Sequence, residues 1–235
     1  MLKIEQKNSN GQKVDLTTEE ATITNSTSVM LTSIAQDKNA IGYVSLGSLN
    51  NSVKAVCVEG VLPNAENIKN NSYKVSRPFS IVLNQNVTEV TKDFVNYIFS
   101  NEGQAVIEKN NYISVETLPY NCSMPSGKIV ISGSSSVSPV MEKLIESYKN
   151  VNPNAQIELQ TSDSTTGVNN VINNLCDIAL ASRNIKDSEL EKGVIAKKIA
   201  IDGIAVIVNK ENPKSDFTME EIKNIYTGEI INWDF

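Results

Sequence analysis

The chain has 235 residues, 40% hydrophobic and 20% charged, which suits one large or two small globular domains. A net charge of −6 without a basic run argues against a nucleic-acid partner, and no apolar run reaches the roughly 18 residues of a membrane span. The absence of histidine removes Ser–His–Asp, Cys–His and histidine-metal sites, and three cysteines, Cys57, Cys122 and Cys176, make neither a disulfide framework nor a metal knuckle.

The first residues, MLKIEQKNSNGQ, lack the apolar core of a signal peptide. Residues 1–20 are polar, with a helix end over 1–6 and a turn at 8–11. The run TNST at 24–27 offers Ser26 or Thr27 as cap to an apolar helical pattern through Val29, Met30 and Ile34. IGYVSL (41–46) and VKAVCVEGV (53–61) read as strands, and 63–71 as a polar stretch with a short helix. Ser76, Arg77 and Pro78 read as a chain break before a short buried strand, FSIVL (79–83). Val90, Phe94 and Ile98 predict a helix over 88–100 behind a Thr88 cap, and a second helix covers 102–110. The stretch 112–126, YISVETLPYNCSMPS, has two prolines and no periodicity and reads as a linker.

The next segment, 127–153, predicts a strand at 128–132, a turn of Gly133 and four serines, and an amphipathic helix. Val140, Leu144, Ile145 and Tyr148 share one face of that helix, with Pro139 at its first position and Ser138 as N-cap. Backbone amides and hydroxyls at a helix N-terminus form an anion site; the same residues also suit an ordinary serine-rich cap. Neither GxxxxGK[ST] nor GxGxxG is present. AQIELQ (155–160) reads as a strand running into TSDSTTG (161–167) and a helix with Val168, Val171, Ile172 and Leu175 on one face. DIALA (177–181) is a strand ending in Ser182, Arg183 and Asn184. Strands follow at 197–201 and 204–209, and a capping box at Thr218 and Glu221 opens a helix that stops at Gly228. Hydroxyl residues thus follow strands at 134–138, 162–166 and 182. Ligands of open α/β sheets collect beyond the carboxyl ends of strands, which favours a tetrahedral oxyanion.

These motifs resemble the phosphate-binding proteins of phosphate ABC transporters. ISGSSSVSPVMEKL, TSDSTTGVNNVINNLCDIALASR, IAIDGIAVIVN and FTMEEIKNIYTGEIINWDF are similar to the family's N-terminal half. AIGYVSLGSL, SRPFSIVLN and VTKDFVNYIFSNEGQAVIEKNNYISV are similar to its C-terminal half. The resemblance implies an α/β, two-lobe periplasmic-binding-protein-like fold, mixed sheets flanked by helices. Its halves stand in circularly permuted order, or the chain spans two tandem copies. Residues 1–72 and 204–235 form lobe II, 79–111 and 127–199 form lobe I, and 73–78 and 200–203 are the hinge crossings. Residues 112–126 join the family's original ends.

The resemblance assigns phosphate contacts to Ser135, Ser136 and Val137 in the strand-to-helix loop, to Ser164, and to Ser182, where some members carry an aspartate that accepts the proton of hydrogen phosphate. Asp163 is a second proton acceptor or a helix cap; Arg183 lies beside the site or is structural. The family's Arg-Asp-Gly-Ser-Gly-Thr loop is absent from these residues, which implies an incomplete, weakened site. The implied protein is a non-enzymatic carrier of inorganic phosphate for an ABC permease, periplasmic, extracellular or cell-surface anchored. It has no cofactor, no metal and no nucleic-acid partner, and an unpaired sheet edge favours self-association. Other readings are a rearranged or engineered scaffold, a sulfate or molybdate binder, and a phosphoester hydrolase using Ser136 or Ser164.

Overall fold

The computed structural model describes residues 4–7 and 13–233. The turn expected at 8–11, and residues 1–3 of the expected helix end, lie outside the described residues. Glu5–Lys7 is a strand, not a helix end, and pairs antiparallel with Lys13–Asp15. The chain divides into two compact units: Met1–Val44, Leu49–Val75 and Ile204–Phe235 in the first, Ser45–Ser48 and Ser76–Gly203 in the second.

In the first unit, helix Thr27–Gln36 is capped by the Ser26 hydroxyl, which accepts the Val29 amide. Its buried face carries Leu31 and Ile34, packed with Val44, Val53, Ala205 and Ile207. Val29, expected on that face, is half exposed at 49%. The run at 53–61 is two short strands, Lys54–Ala55 and Cys57–Val58, because the chain changes partner between them. The first pairs antiparallel with Ile207 and Val208, the second parallel with Asp216–Phe217. Helix Met219–Thr227 has the expected capping box and ends at Gly228 with φ 78°, a left-handed cap that favours glycine.

The second unit is built on a mixed sheet. Gly127–Ser134 runs parallel to both Ala155–Ser162 and Ile178–Ala181, and Ser76–Leu83 runs antiparallel to Ile178–Ala181 and to Ile195–Val208. Helices Glu89–Ile98, Asn101–Lys109 and Ser138–Val151 cover one face, with Phe94, Ile98, Ile107, Met141, Leu144 and Tyr148 buried against Phe79, Ile81, Ile129 and Ile131. Helix Ser164–Ile172 covers the other, with Val168 and Val171 against Val82, Ala179 and Ala181. That helix ends at Ile172, so Leu175 falls off the buried face and is 68% exposed. Gly167 is required by proximity: a Cβ there would lie 2.6 Å from the Gly133 Cα and 2.7 Å from the Ser132 carbonyl oxygen.

Two expected breaks do not occur. Residues 197–208 belong to one strand, Ile195–Val208, which absorbs its irregularity as a register shift between Lys198 and Ala200. Ser76, Arg77 and Pro78 open the strand Ser76–Leu83. Pro78 is tolerated because the pairing with Ile178–Ala181 reaches only to Ser80, so no ladder bond is lost on that side. Residues 114–126 hold no regular element, yet the stretch is tied down. Ile113 and Ile201 exchange backbone hydrogen bonds of 2.9 Å, and buried Asp93 accepts from the Tyr120 hydroxyl at 3.0 Å and the Ser123 amide at 3.4 Å.

Candidate oxyanion site

The register of the second unit brings the ends of three parallel strands level. Ser134 pairs with Ser162, and Gly133 with both Thr161 and Leu180, so Ser182 emerges at the same sheet edge. There the Ser134 hydroxyl donates to the Ser182 Oγ at 3.0 Å. The Ser182 amide donates to the Ser164 Oγ at 3.1 Å, and the Oγ atoms of Ser164 and Ser182 are 3.4 Å apart. Two residues expected from the sequence, Ser164 and Ser182, are thus brought together, and Ser134 joins them.

The turn at 135–137 is more self-contained than expected. The Ser135 amide bonds the Ser162 carbonyl and the Val137 amide bonds the Ser134 carbonyl, both at 3.0 Å. The Ser136 amide bonds a side chain, the Ser134 hydroxyl, at 3.3 Å, a partner that an anion can replace. Ser138 is not the N-cap. The cap position is Val137, no side chain accepts from the helix amides, and the Ser138 hydroxyl instead donates to the Ser134 carbonyl at 3.2 Å. The open N-terminus of this 14-residue helix keeps unsatisfied amides and the positive end of its dipole beside the serines.

Asp163 and Arg183 are both bonded to their own scaffold. Asp163 is the N-cap of helix Ser164–Ile172: its Oδ1 accepts the Thr165 and Thr166 amides at 2.8 and 2.9 Å, and its Oδ2 the Thr166 hydroxyl at 2.7 Å. The Thr166 hydrogen bonds hold its carboxyl below the usual range, which suits a permanent acceptor in a cap and not a group that takes up protons. Arg183 forks onto Glu189 at 2.8 and 2.7 Å and also reaches the Asn184 carbonyl and the Thr165 hydroxyl. The fork clamps the loop after its strand.

The cation at the serine cluster is Arg77. Its strand runs antiparallel to Ile178–Ala181, with Ser80 opposite Ala181, so the residues before Ser80 extend past the carboxyl end where Ser182 lies. Arg77 Nη1 is 3.5 Å from the Ser182 Oγ, and the guanidinium stands 5.5 Å from the Phe79 ring centroid. Opposite Arg77 in the neighbouring strand is Asp202, wholly buried, whose Oδ2 accepts from Arg77 Nε at 3.0 Å. The Asp202 Oδ1 accepts from the buried Ser45 hydroxyl at 2.6 Å. Burial pushes the Asp202 carboxyl up to about 6, against the opposing pull of Arg77 and Ser45. Sequence reasoning passed over Arg77 because Pro78 marked it as a break. A buried-strand reading of 76–83 with an arginine at its mouth is the signal that finds it.

The arrangement offers hydroxyl donors, a helix N-terminus and one guanidinium, a donor set for a tetrahedral oxyanion. Among the described residues no cluster of His, Cys, Asp or Glu is placed to hold a metal ion, and no helix is long and apolar enough to cross a membrane.

A sequence model of the PBP superfamily domain matches residues 123–235. The chain is 51% identical over 232 residues to the phosphate-binding protein PstS 2 of Streptococcus agalactiae, covering 98% of this chain and 79% of that one. A crystal structure of a phosphate-binding protein of a phosphate ABC transporter from Streptococcus pneumoniae TIGR4 superposes with a TM-score of 0.77 at 38% identity, covering 99% of this chain and 90% of that one. The phosphate-binding protein PstS of Bacillus subtilis is 32% identical over 110 residues, 46% of this chain and 37% of that one. These relatives are solute-binding proteins and not enzymes, so the hydrolase reading of Ser136 and Ser164 falls, and the fold is the α/β periplasmic-binding-protein-like one with mixed sheets and helices. By this identity and coverage, the chain belongs to the PstS family of phosphate-binding proteins.

Proposed function

We propose that this chain binds inorganic phosphate as the extracytoplasmic solute-binding component of an ABC uptake system and hands it to a membrane permease. The observation that carries the reading is the meeting of Ser134, Ser164, Ser182 and Arg77 at one sheet edge, beside an uncapped helix N-terminus. The contacts run through Ser136, Ser164, Ser182 and Arg77, with Ser135 and Val137 shaping the turn.

The order of halves is permuted relative to one branch of the family. Support comes from coverage: the Streptococcus agalactiae relative aligns over 98% of the chain, whereas the Bacillus subtilis relative aligns over 46%, as a linear alignment must when it can follow only one of two exchanged halves. Residues 73–78 and 200–203 are the hinge crossings of this reading, and the division of the two units at 75/76 and 203/204 supports that. No Arg-Asp-Gly-Ser-Gly-Thr run occurs in these 235 residues. A site without that loop's charge-assisted bonds, at roughly 1.5–3 kcal/mol each, binds more weakly by orders of magnitude.

The test is a titration of the 15N-labelled chain with inorganic phosphate. Amide shifts concentrated at 134–138, 164 and 182, with affinity weaker than micromolar, are expected. Sub-micromolar affinity overturns the incomplete-site reading, and the absence of shifts at those residues overturns the phosphate reading. A second ligand, sulfate, is favoured by one observation: residue 182 is a neutral serine, so no carboxylate there repels an unprotonated anion.

A further inference from the structure

Ser182, where the resemblance implies a proton acceptor, does not offer one. The Ser182 oxygen receives the Ser134 hydroxyl at 3.0 Å and faces Arg77 Nη1 at 3.5 Å, so its lone pairs are engaged and its own proton is left to donate. Asp163 is committed to the helix cap. Among the described residues the only carboxylate bonded to the site's cation is Asp202, which is 0% exposed. Among the described residues Arg77 has no other charged partner.

Resting on the phosphate reading above, we propose that Asp202 is a specificity-determining positioning residue: it aims Arg77 at the serine hydroxyls and offsets its charge, and an oxyanion that engages Arg77 displaces it as counter-charge, whereupon Asp202 takes up a proton. The balance is simple. The proton comes from solvent for phosphate and sulfate alike, drawn by the change of charge beside Arg77, and the bound anion keeps whatever protons it carries. No covalent bond other than O–H changes.

The groups facing Asp202 support this. From the neighbouring strand comes Arg77; from 45–46 come the Ser45 hydroxyl and the Leu46 amide; behind Ser45, at 3.4 Å from its Oγ, stands the Tyr112 hydroxyl. Burial pushes the Tyr112 phenol up to about 12, so it stays neutral through the range in question. Arg77 is thus the one charge that keeps Asp202 ionised. Drawing the guanidinium toward an anion, or merely placing a second negative charge beside it, favours the protonated acid. With Asp202 already raised to about 6 by its burial, the exchange falls within the physiological span.

The experiment follows the Asp202 carboxyl carbon by 13C NMR from about pH 4 to about pH 8, with and without inorganic phosphate. The midpoint is expected to rise by about one unit when phosphate is present. Sulfate, which stays a dianion over this range, should bind roughly tenfold tighter at the acid end, and Asp202→Asn should bind it with no pH dependence at the tight limit. Ser45→Ala removes a donor to Oδ1 and should raise the midpoint without any anion, a measurement that stands even if the Asn variant does not fold. Phosphate binding with an unmoved Asp202 midpoint overturns the inference and leaves the phosphate reading intact. Absence of phosphate binding by the unmodified chain overturns both.

Discussion

Removing the Asp93 carboxylate by Asp93→Ala strands several donors at once. Asp93 is 6% exposed, and it accepts the Tyr148 hydroxyl at 2.7 Å, the Tyr120 hydroxyl at 3.0 Å, the Ser123 amide at 3.4 Å and, weakly, the Cys122 Sγ at 3.5 Å. The two phenols dominate. Each short bond to a charged acceptor is worth roughly 1.5–3 kcal/mol, and the two long contacts add little. Tyr148 is fully buried, and its other partner, the Asn152 Nδ2, is itself a donor, so the phenol proton has nowhere else to go. Burial holds that phenol above its usual range, so it needs an acceptor at every pH of interest. The expected loss is about 3–5 kcal/mol, a large part of the ~5–15 kcal/mol that stabilises a typical domain. Asp93→Asn keeps the shape and one acceptor oxygen and should lose about 1–2 kcal/mol. Urea denaturation gives the magnitude, and native-state hydrogen exchange gives the location, since Tyr120 and Ser123 fasten the segment 118–126 through this carboxylate. Two outcomes refute the reasoning: both variants within about 0.5 kcal/mol of the parent, or a global loss with unchanged exchange in 118–126.

Gly167→Ala places a Cβ against backbone atoms of 132–133 that cannot rotate aside; it should destabilise by about 1–3 kcal/mol in thermal unfolding and weaken phosphate binding, because Ser164 rides on the same helix. Asp163→Ala loses a cap and should destabilise by about 0.5–2 kcal/mol. Because the Thr166 bonds lower the Asp163 carboxyl from 3.8, that contribution is full above about pH 3.8 and disappears as pH falls through the folded value, so parent and variant converge in acid unfolding. Asp202 acts with the opposite sign: raised from 3.8 to about 6, it costs stability as pH climbs through that interval and no further above it, a slope that Asp202→Asn should abolish in stability measured against pH. Arg183→Gln breaks the fork to Glu189 and should destabilise by about 1–3 kcal/mol while leaving phosphate affinity within about twofold; a tenfold loss in calorimetry or NMR titration makes Arg183 a ligand after all.

Features set by near neighbours along the chain were the legible ones. Val140, Leu144, Ile145 and Tyr148 repeat at helical spacing, and all four are buried. Thr88, Ser26 and Thr218 cap the helices that follow them, because a hydroxyl followed by a helical run is itself the mechanism of the cap. Ser138 looked the same and fails by one residue: the turn closes on Ser134, the helix starts early, and the hydroxyl finds a backbone carbonyl instead. Leu175 continues the apolar spacing of its helix only on paper, since the helix stops at Ile172. In both cases the local backbone hydrogen bonds, not the side-chain spacing, decide.

Arg77 and Asp202 were illegible for a stronger reason. They are 125 residues apart, and nothing near either one announces the other. Only the antiparallel register makes them a pair, and only the reversed direction of Ser76–Leu83 relative to three parallel strands carries the arginine to the edge where the serines end. The serine turns were legible because each joins a strand to a helix within a few residues of sequence. Their cation was not, because it arrives from a strand that runs the other way. The same geometry explains how a chain of net charge −6 can gather an oxyanion: surface carboxylates are screened within about 10 Å at 0.1 M salt, whereas an arginine side chain 13% exposed, matched to one buried acid, acts at contact range in a poorly screened setting. What matters for the ligand is therefore the charge of that single pair, and it changes by a whole unit when Asp202 gains a proton.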